Sequence, residues 1–408
     1  MHFANRIKRV FLHGYELLKY NYHTYVYTFL KLKTIRRKTK IRFLFLLTEL
    51  PTWKTEPLYL QMLDHPRFAP ILGVTSSIES PGAEEKVVEY LVHKGYDYVI
   101  IDEKKTLVEQ CKPDIIMYQK PYVEIRHSKH LMINNLKSLF VICEYGFHTT
   151  IGKWNMIQPV HRYGLHYYFE NKSLGEQYRK LMPNKGRNIR ITGTPFMDIL
   201  SSLNKKIEDP WKDHTGKKRI IYAPHHTIGD QHFSGLAFST FLENCDKFLE
   251  LAEKYSEKAC FAFKPHPRLY PNLVRLWGKK KTDTYYSRWE SLKNGQLENG
   301  AYNGLFIHSD ALIHDCGAFM VEYLYTHNPV MYLIGNNSDF SSFSEFTKEA
   351  FNVHYHGTTS DDIEQFIQNV INGNDEKKLL REDFYLHNLE IPNGKSACLN
   401  IIDTILNK

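Results

Sequence analysis

Three segments in the second half of the chain set chemically competent side chains directly beside short apolar runs. Tyr222-Ala223-Pro224-His225-His226-Thr227 ends such a run in two imidazoles and a hydroxyl. Phe263-Lys264-Pro265-His266-Pro267-Arg268 holds Lys, His and Arg together in a loop stiffened by two prolines. The third passes from Ser309-Asp310 through Ala311–Ile313 to His314-Asp315-Cys316-Gly317-Ala318 and a helical pattern over Phe319–Tyr325. Cations and imidazoles gathered in this way suit a diphosphate, whose charge must be balanced before one phosphate can depart. A helix start adds free backbone N–H groups and the positive end of its dipole. Gly317 would let a phosphate approach the backbone, and Glu322 could point back towards ribose hydroxyls. His225, His226, Thr227, Lys264, Arg268, Ser309 and Cys316 are therefore candidate donor contacts, with His266 a candidate catalytic group.

In the first half, Val141-Ile142-Cys143-Glu144-Tyr145-Gly146-Phe147-His148-Thr149 reads as a strand running into a turn with a carboxylate, a glycine and an imidazole. A base that activates an acceptor hydroxyl belongs at such a place. An imidazole accepts a proton near neutrality, which suits His148; Glu144 is its rival, and the residues leave both open. Thr48-Glu49-Leu50-Pro51-Thr52-Trp53 follows the first strand without a GxGxxG, so a dinucleotide clamp and redox chemistry are not expected. No DxD-like doublet follows a strand, and Asp361-Asp362 reads as capping charge at a helix start. The six cysteines are scattered without a CxxC pair, which predicts reduced thiols in a cytoplasmic setting. No metal and no cofactor is expected.

The polar turns need elements to hold them. From residue 41 onwards, apolar runs alternate with helical patterns: Ile41–Leu47, Ile71–Val74, Tyr98–Ile101, Ile115–Tyr118 and Leu139–Cys143 as strands, Ala83–Lys94 as an amphipathic helix closed by Gly95. Ile189–Ile191 is followed by Thr192-Gly193-Thr194-Pro195 and a polar linker over Asn204–Lys218. The alternation resumes with strands at Arg219–Ala223, Cys260–Lys264, Leu305–Ile307, Ala311–Ile313 and Val330–Leu333, and helices at Leu236–Tyr255, Ser360–Ile371 and Lys395–Leu406. Such a pattern predicts parallel sheets covered by helices. A chain of 408 residues with 42% hydrophobic content divides into two such domains, expected over 41–205 and 206–408 and facing a cleft. Ligands of open α/β sheets sit beyond the carboxyl ends of the strands, where the polar turns lie.

Residues 1–42 hold eleven of the 53 Lys and Arg and one of the 45 acidic residues, so the net charge of +8 resides in the first tenth of the chain. There the cations alternate with Phe11, Leu17, Leu18, Tyr20, Tyr25, Tyr27, Phe29 and Leu30, before a basic run over Lys31–Lys40. This mixture predicts a membrane-surface arm over 1–40, each cation near an anionic surface contributing about 1 kcal/mol. A merely solvated arm is the alternative; nucleic acid is not the expected partner. No apolar run reaches the length of a membrane span, and no export signal is expected at the start.

The motifs Tyr222-Ala223-Pro224, Lys264-Pro265-His266-Pro267 and Ser309-Asp310 through His314-Asp315 resemble the CDP-glycerol glycerophosphotransferases of teichoic-acid and capsule synthesis. The resemblance is clearest over residues 190–335; Lys112-Pro113-Asp114, Gln119-Lys120-Pro121-Tyr122 and Tyr145-Gly146-Phe147-His148 match the layout of that family's first domain. It implies a GT-B fold of two Rossmann-like doubly wound domains. It also implies attack by an acceptor hydroxyl on the β-phosphate of a CDP-polyol, glycerol phosphate foremost, with release of CMP. The acceptor would be a cell-surface glycan or lipid-linked, and the enzyme peripheral at the inner face of a bacterial membrane. By the same resemblance His226, Lys264, His266, Arg268, Asp315, Gly317 and Ala318 surround the diphosphate, Glu322 meets the ribose and His148 is the base. The sequence departs from the family's usual Ser-Ser pair at Gly317-Ala318 and from its histidine-glycine pair at Tyr145-Gly146, which replaces hydroxyl contacts by backbone ones. The rival functions are a GT-B glycosyltransferase or nucleotide-sugar epimerase, and a non-catalytic nucleotide-binding protein recruited to membranes.

Overall fold

The computed structural model describes residues 13–406 apart from 79, 121, 123–125, 153, 204–205, 213–214, 229–238, 301 and 336–337. Thus Arg6, Lys8, Arg9 and Phe11 of the basic arm, Pro121, Asn204 and Leu236 lie outside the described residues. The chain forms two units, Met1–Ile199 with Ile391–Lys408, and Leu200–Glu390.

The first unit is built on a parallel seven-stranded sheet of β1 (Ile41–Leu47), β2 (Phe68–Val74), β3 (Tyr98–Ile100), β4 (Ile115–Tyr118), β5 (Leu139–Ile142), β6 (His166–Phe169) and β7 (Ile189–Ile191), in the order β3-β2-β1-β4-β5-β6-β7. Helices cover both faces, so the central strands have no wet side; β1 buries every residue but Arg42. Phe43, Phe45 and Leu47 pack with Trp53, Leu58 and Met62. The helix Ala83–Lys94 ends as expected on Gly95, whose φ of 68° is open to a residue lacking Cβ.

The second unit has a parallel six-stranded sheet of β8 (Lys218–Ala223), β9 (Ala259–Phe263), β10 (Gly295–Leu297), β11 (Ala311–His314), β12 (Val330–Leu333) and β13 (Tyr355–Gly357), in the order β10-β9-β8-β11-β12-β13. In both sheets the order reverses beside the first strand, which creates the crevice where doubly wound sheets bind ligands. Here that switch point lies between β8 and β11.

Three expectations are corrected. The second domain was expected to run to residue 408, but the chain returns to the first unit at Ile391. The helix Ala397–Leu406 is fastened there because both Asp198 oxygens accept its first N–H groups, from Ala397 at 2.8 Å and Cys398 at 2.9 Å, while Ile401, Ile402 and Ile405 enter the first core. Leu305–Ile307 is not a strand: Asn303–Ile307 is a short helix, where Tyr302 and Phe306 pack against Phe319 and a Cβ at Gly304 would stand 2.5 Å from the Glu208 carbonyl oxygen. Residues 13–40 of the expected arm do not stand as a region of their own but belong to the first unit. They are helical to Arg37 and fastened to the first unit by the buried His23 and Ile35, and by Lys31 and Lys38, which both pair with Asp114. Among the described residues no helix is long and apolar enough to cross a membrane, and all six cysteines are free and buried.

Candidate active site

Strand register assembles the second unit's site. Tyr222 of β8 pairs with Phe263 of β9, and Ala223 with His314 of β11. The next residues, Lys264, Pro224 and Asp315, therefore leave the sheet side by side at its carboxyl edge. His225 and His226 follow on one loop and His266 on the next; their rings lie 4.3 Å (His225–His226), 5.2 Å (His225–His266) and 4.3 Å (His226–His266) apart, centre to centre.

Burial and mutual repulsion keep these rings uncharged at neutral pH. His225 is pushed down to about 2 by burial and then by His226 and His266; His266 falls to about 3 by burial with His226, Arg268 and Lys264 beside it; His226 is lowered by burial and Arg268. Neutral imidazoles can donate hydrogen bonds to a phosphate but balance none of its charge. Charge comes from the exposed Arg268 and from Lys264, which is buried, with 7% of its surface exposed. The Lys264 ammonium has no hydrogen bond or ion pair among the described residues; burial lowers its pKa, and Glu298 is the carboxylate whose charge reaches it. A buried cation without a counterion is costly, and an arriving anion removes that cost.

Several expected donor contacts have other duties. Asp315, fully buried, accepts N–H groups from His225 (2.5 Å) and Thr240 (2.6 Å) and the Thr240 hydroxyl (3.0 Å). Burial still lifts its pKa to about 6. Asp315 thus ties the His225 loop to the start of the helix Phe241–Lys254 instead of facing a phosphate, which it would repel. Ser309 precedes β11 and so lies at the amino edge of the parallel sheet, opposite the ligand edge; its hydroxyl donates to the Phe306 carbonyl at 2.7 Å and meets the Tyr323 hydroxyl at 2.7 Å. Cys316 is buried against His314, and burial raises its thiol pKa far above the usual range. The helix after Gly317 and Ala318 is α-helical only over Phe319–Glu322 before tightening to 3-10 geometry at Tyr323–Thr326, so its dipole is smaller than the sequence pattern suggests. Glu322 is buried and accepts the Tyr302 hydroxyl at 2.6 Å; a ribose would compete with Tyr302 for it. Thr227 Oγ1 sits 3.0 Å from His225 Nδ1 and positions that ring.

In the first unit, His148 is locked. Both Glu170 oxygens lie near its Nδ1, at 2.9 and 2.8 Å, one also accepts its backbone N–H at 3.0 Å, and Nε2 meets the Tyr167 hydroxyl at 2.8 Å. Burial alone would lower its pKa, but the charges of Glu170 and Glu144 outweigh it and hold the ring protonated to about pH 10. In that protonated form the ring has no lone pair to offer, which leaves Glu144, the other expected base, as the group able to accept a proton. Glu144 accepts the Tyr167 hydroxyl at 2.7 Å and lies 3.3 Å from His161 Nε2. Burial would raise its pKa; His148 and His161 turn it well below the carboxylate range. Its side chain keeps 12% exposure against none for His148 and Glu170, which makes it the accessible end of the network. Sequence reasoning missed Glu170, Tyr167 and His161; Glu170 follows β6, a strand it did not recognise.

The profile of the CDP-glycerol:poly(glycerophosphate) glycerophosphotransferases matches residues 106–407. The chain belongs to that family. It is a glycerophosphotransferase-type enzyme with a GT-B fold. Solved structures of similar fold include the wall teichoic acid polymerase TagF, at 14% identity and TM-score 0.56 over 99% of this chain and 97% of that one. They also include S. aureus MnaA with UDP, at 15% identity and TM-score 0.58 over 90% of this chain and 96% of that one. The UDP-GlcNAc 2-epimerase from Neisseria meningitidis, at 16% identity, reaches TM-score 0.56 over 90% of this chain and all of that one. No curated protein matches the sequence.

Proposed function

We propose that this enzyme transfers a polyol phosphate, glycerol phosphate in the first instance, from a CDP-activated donor to a hydroxyl of a cell-surface glycan or lipid-linked acceptor. The observation that carries the reading is Lys264: a buried ammonium without a partner among the described residues, at the carboxyl edge beside the switch point, whose charge reaches His266 of the imidazole cluster, as does that of Arg268. The TagF structure soaked with CDPG supports the choice of donor. The acceptor oxygen bonds to the β-phosphorus, the bond from that phosphorus to the bridging oxygen breaks, and CMP leaves with the bridging oxygen. Lys264 and Arg268 balance the charge passing to CMP, and the imidazoles supply hydrogen bonds.

The proton lost by the acceptor hydroxyl passes to a carboxylate, and Glu144 is the first unit's candidate for that role. Its depressed pKa makes it a weak base, which suffices because phosphoryl transfer through a loose transition state asks more of positioning than of early proton removal. Tyr167, His161 and His148, the last fixed by Glu170, hold Glu144 in place. The helix over residues 13–37 leaves Tyr15, Leu18, Tyr22, Tyr25, Phe29 and Leu30 exposed, with Lys19 and Lys33 over the Tyr15 and Phe29 rings. This outer surface suits the headgroup region of an anionic membrane, where a lipid-linked acceptor would be met. The direct test is CMP formation from CDP-glycerol: the wild type releases CMP and a folded K264A variant does not, whereas equal release by both overturns the site.

A further inference from the structure

His225, His226 and His266 each bring one ring nitrogen to a common point, all within 4.8 Å of one another. Nitrogens at the corners of such a triangle stand at most about 2.8 Å from its centre, and zinc–imidazole bonds measure ~2.0–2.1 Å, so shifts under about 1 Å close the set. The loops are braced around this point. His225 Nδ1 faces Thr227 Oγ1 at 3.0 Å, and Thr227 Oγ1 also accepts the Ser239 N–H at 3.3 Å. With Nδ1–H donating to Thr227, His225 presents the lone pair of Nε2, the arrangement by which an outer hydrogen bond orients a metal-ligating histidine. His266 Nδ1 accepts the Arg268 N–H at 3.1 Å; ligation through Nε2 moves the ring proton to Nδ1 and gives up that one loop contact.

We propose that His225, His226 and His266 bind a divalent first-row transition ion, zinc being the type case, with one open position that a donor phosphate oxygen fills. Three protein ligands plus an open position is the pattern of a zinc site that takes a substrate. The set contains no carboxylate, and the cations Lys264 and Arg268 stand beside it. Asp315, which accepts the His225 N–H, is the carboxylate bonded to these loops, and its charge does not match the ion and both cations together; an arriving anion adds the remainder, so ion and diphosphate bind cooperatively, each raising the other's affinity by the same factor. With the ion bound, the three imidazoles turn their lone pairs to it in place of hydrogen-bonding the phosphate, and the ion supplies charge balance that uncharged imidazoles cannot. This rests on the reading of the second unit as a nucleotide-diphosphate site.

The test uses the full chain stripped with a chelator and titrated with Co2+, followed by visible absorption and calorimetry. One saturable site per chain is expected, weakened at least about tenfold in H225A, H226A and H266A and less in T227V, which keeps all three rings. H387A, on an exposed helix far along the chain, leaves it unchanged. CDP affinity should rise about tenfold with one equivalent of Co2+, within the usual range of coupling. Equal Co2+ titrations of the wild type, T227V and the triple histidine variant overturn the site. CDP binding that is the same with Co2+ and with chelator overturns the ion while leaving the nucleotide reading intact. Co2+ binding lost with the histidines, but with no CDP binding under any condition, supports the ion site and overturns the nucleotide reading instead.

Discussion

Replacing Lys264 by methionine should make the protein more stable and less able to bind its donor. Lys264 is buried at the carboxyl edge of β9, with its ammonium unpaired among the described residues and its pKa lowered by that burial. Methionine keeps the length and flexibility of the stem and removes the charge. Relief of an uncompensated buried charge is worth about 2 kcal/mol. In a unit the size of Leu200–Glu390 this raises the midpoint of thermal unfolding by about 4–8 °C. The same change removes a desolvated charge from the diphosphate, at about 2–5 kcal/mol, or roughly thirty- to several-thousand-fold in Kd. Scanning calorimetry of wild type and K264M, each with and without CDP, reads both effects. The variant's transition should lie above that of the ligand-free wild type and move less when CDP is added. A variant that unfolds earlier than the wild type without nucleotide, or that gains as much from CDP, refutes the reasoning.

Three further outcomes are expected. His148 has a folded pKa of about 10, above the ordinary 6.5, so its charge contributes fully to stability below about pH 6.5 and this is lost as pH rises through 10. Glu170→Gln should flatten that alkaline decline, seen by urea unfolding across pH, and cost about 3–5 kcal/mol at neutrality because a buried cation loses a partner; an unchanged pH profile would refute it. His314, fully buried beside His354 at 5.5 Å, is pushed down to about 3 by burial. A folded value below 6.5 means stability is whole above about pH 6.5 and lost as pH falls towards 3, so H314Q should resist acid unfolding better relative to its own neutral stability; a parallel acid profile counts against this. Leu18→Ser with Phe29→Ser, both on the exposed face of the first helix, should weaken sedimentation with phosphatidylserine vesicles at low salt without changing the thermal transition. Equal vesicle binding would remove that face from membrane contact.

The fold was largely legible because parallel strands buried on both faces leave continuous apolar runs, as Ile41–Leu47 and Ile115–Tyr118 do. Short strands were not: Gly295–Leu297 and Tyr355–Gly357 have three residues each and carry no run to read, and His166–Phe169 looks polar although wholly buried. The return of the last helix was hidden because its fastening, Asp198 to Ala397, spans 199 residues. At the candidate site, residue type pointed to the loops that the structure brings together around Lys264, His225 and His266. Direction was beyond it: Asp315 turns inward to backbone N–H groups, Ser309 stands at the amino edge of its strand, and His148 is locked against Glu170, which no local motif connects to it.

The measurement that bears most directly on a CDP-polyol transferase is calorimetric titration of the full chain with CDP-glycerol, CDP-ribitol, CMP and UDP-sugars in parallel. The account predicts tight binding of a CDP-polyol, weaker binding of CMP, which lacks the β-phosphate, and little or none of the uridine nucleotides. Selective binding of a UDP-sugar with no response to any CDP-polyol would contradict it.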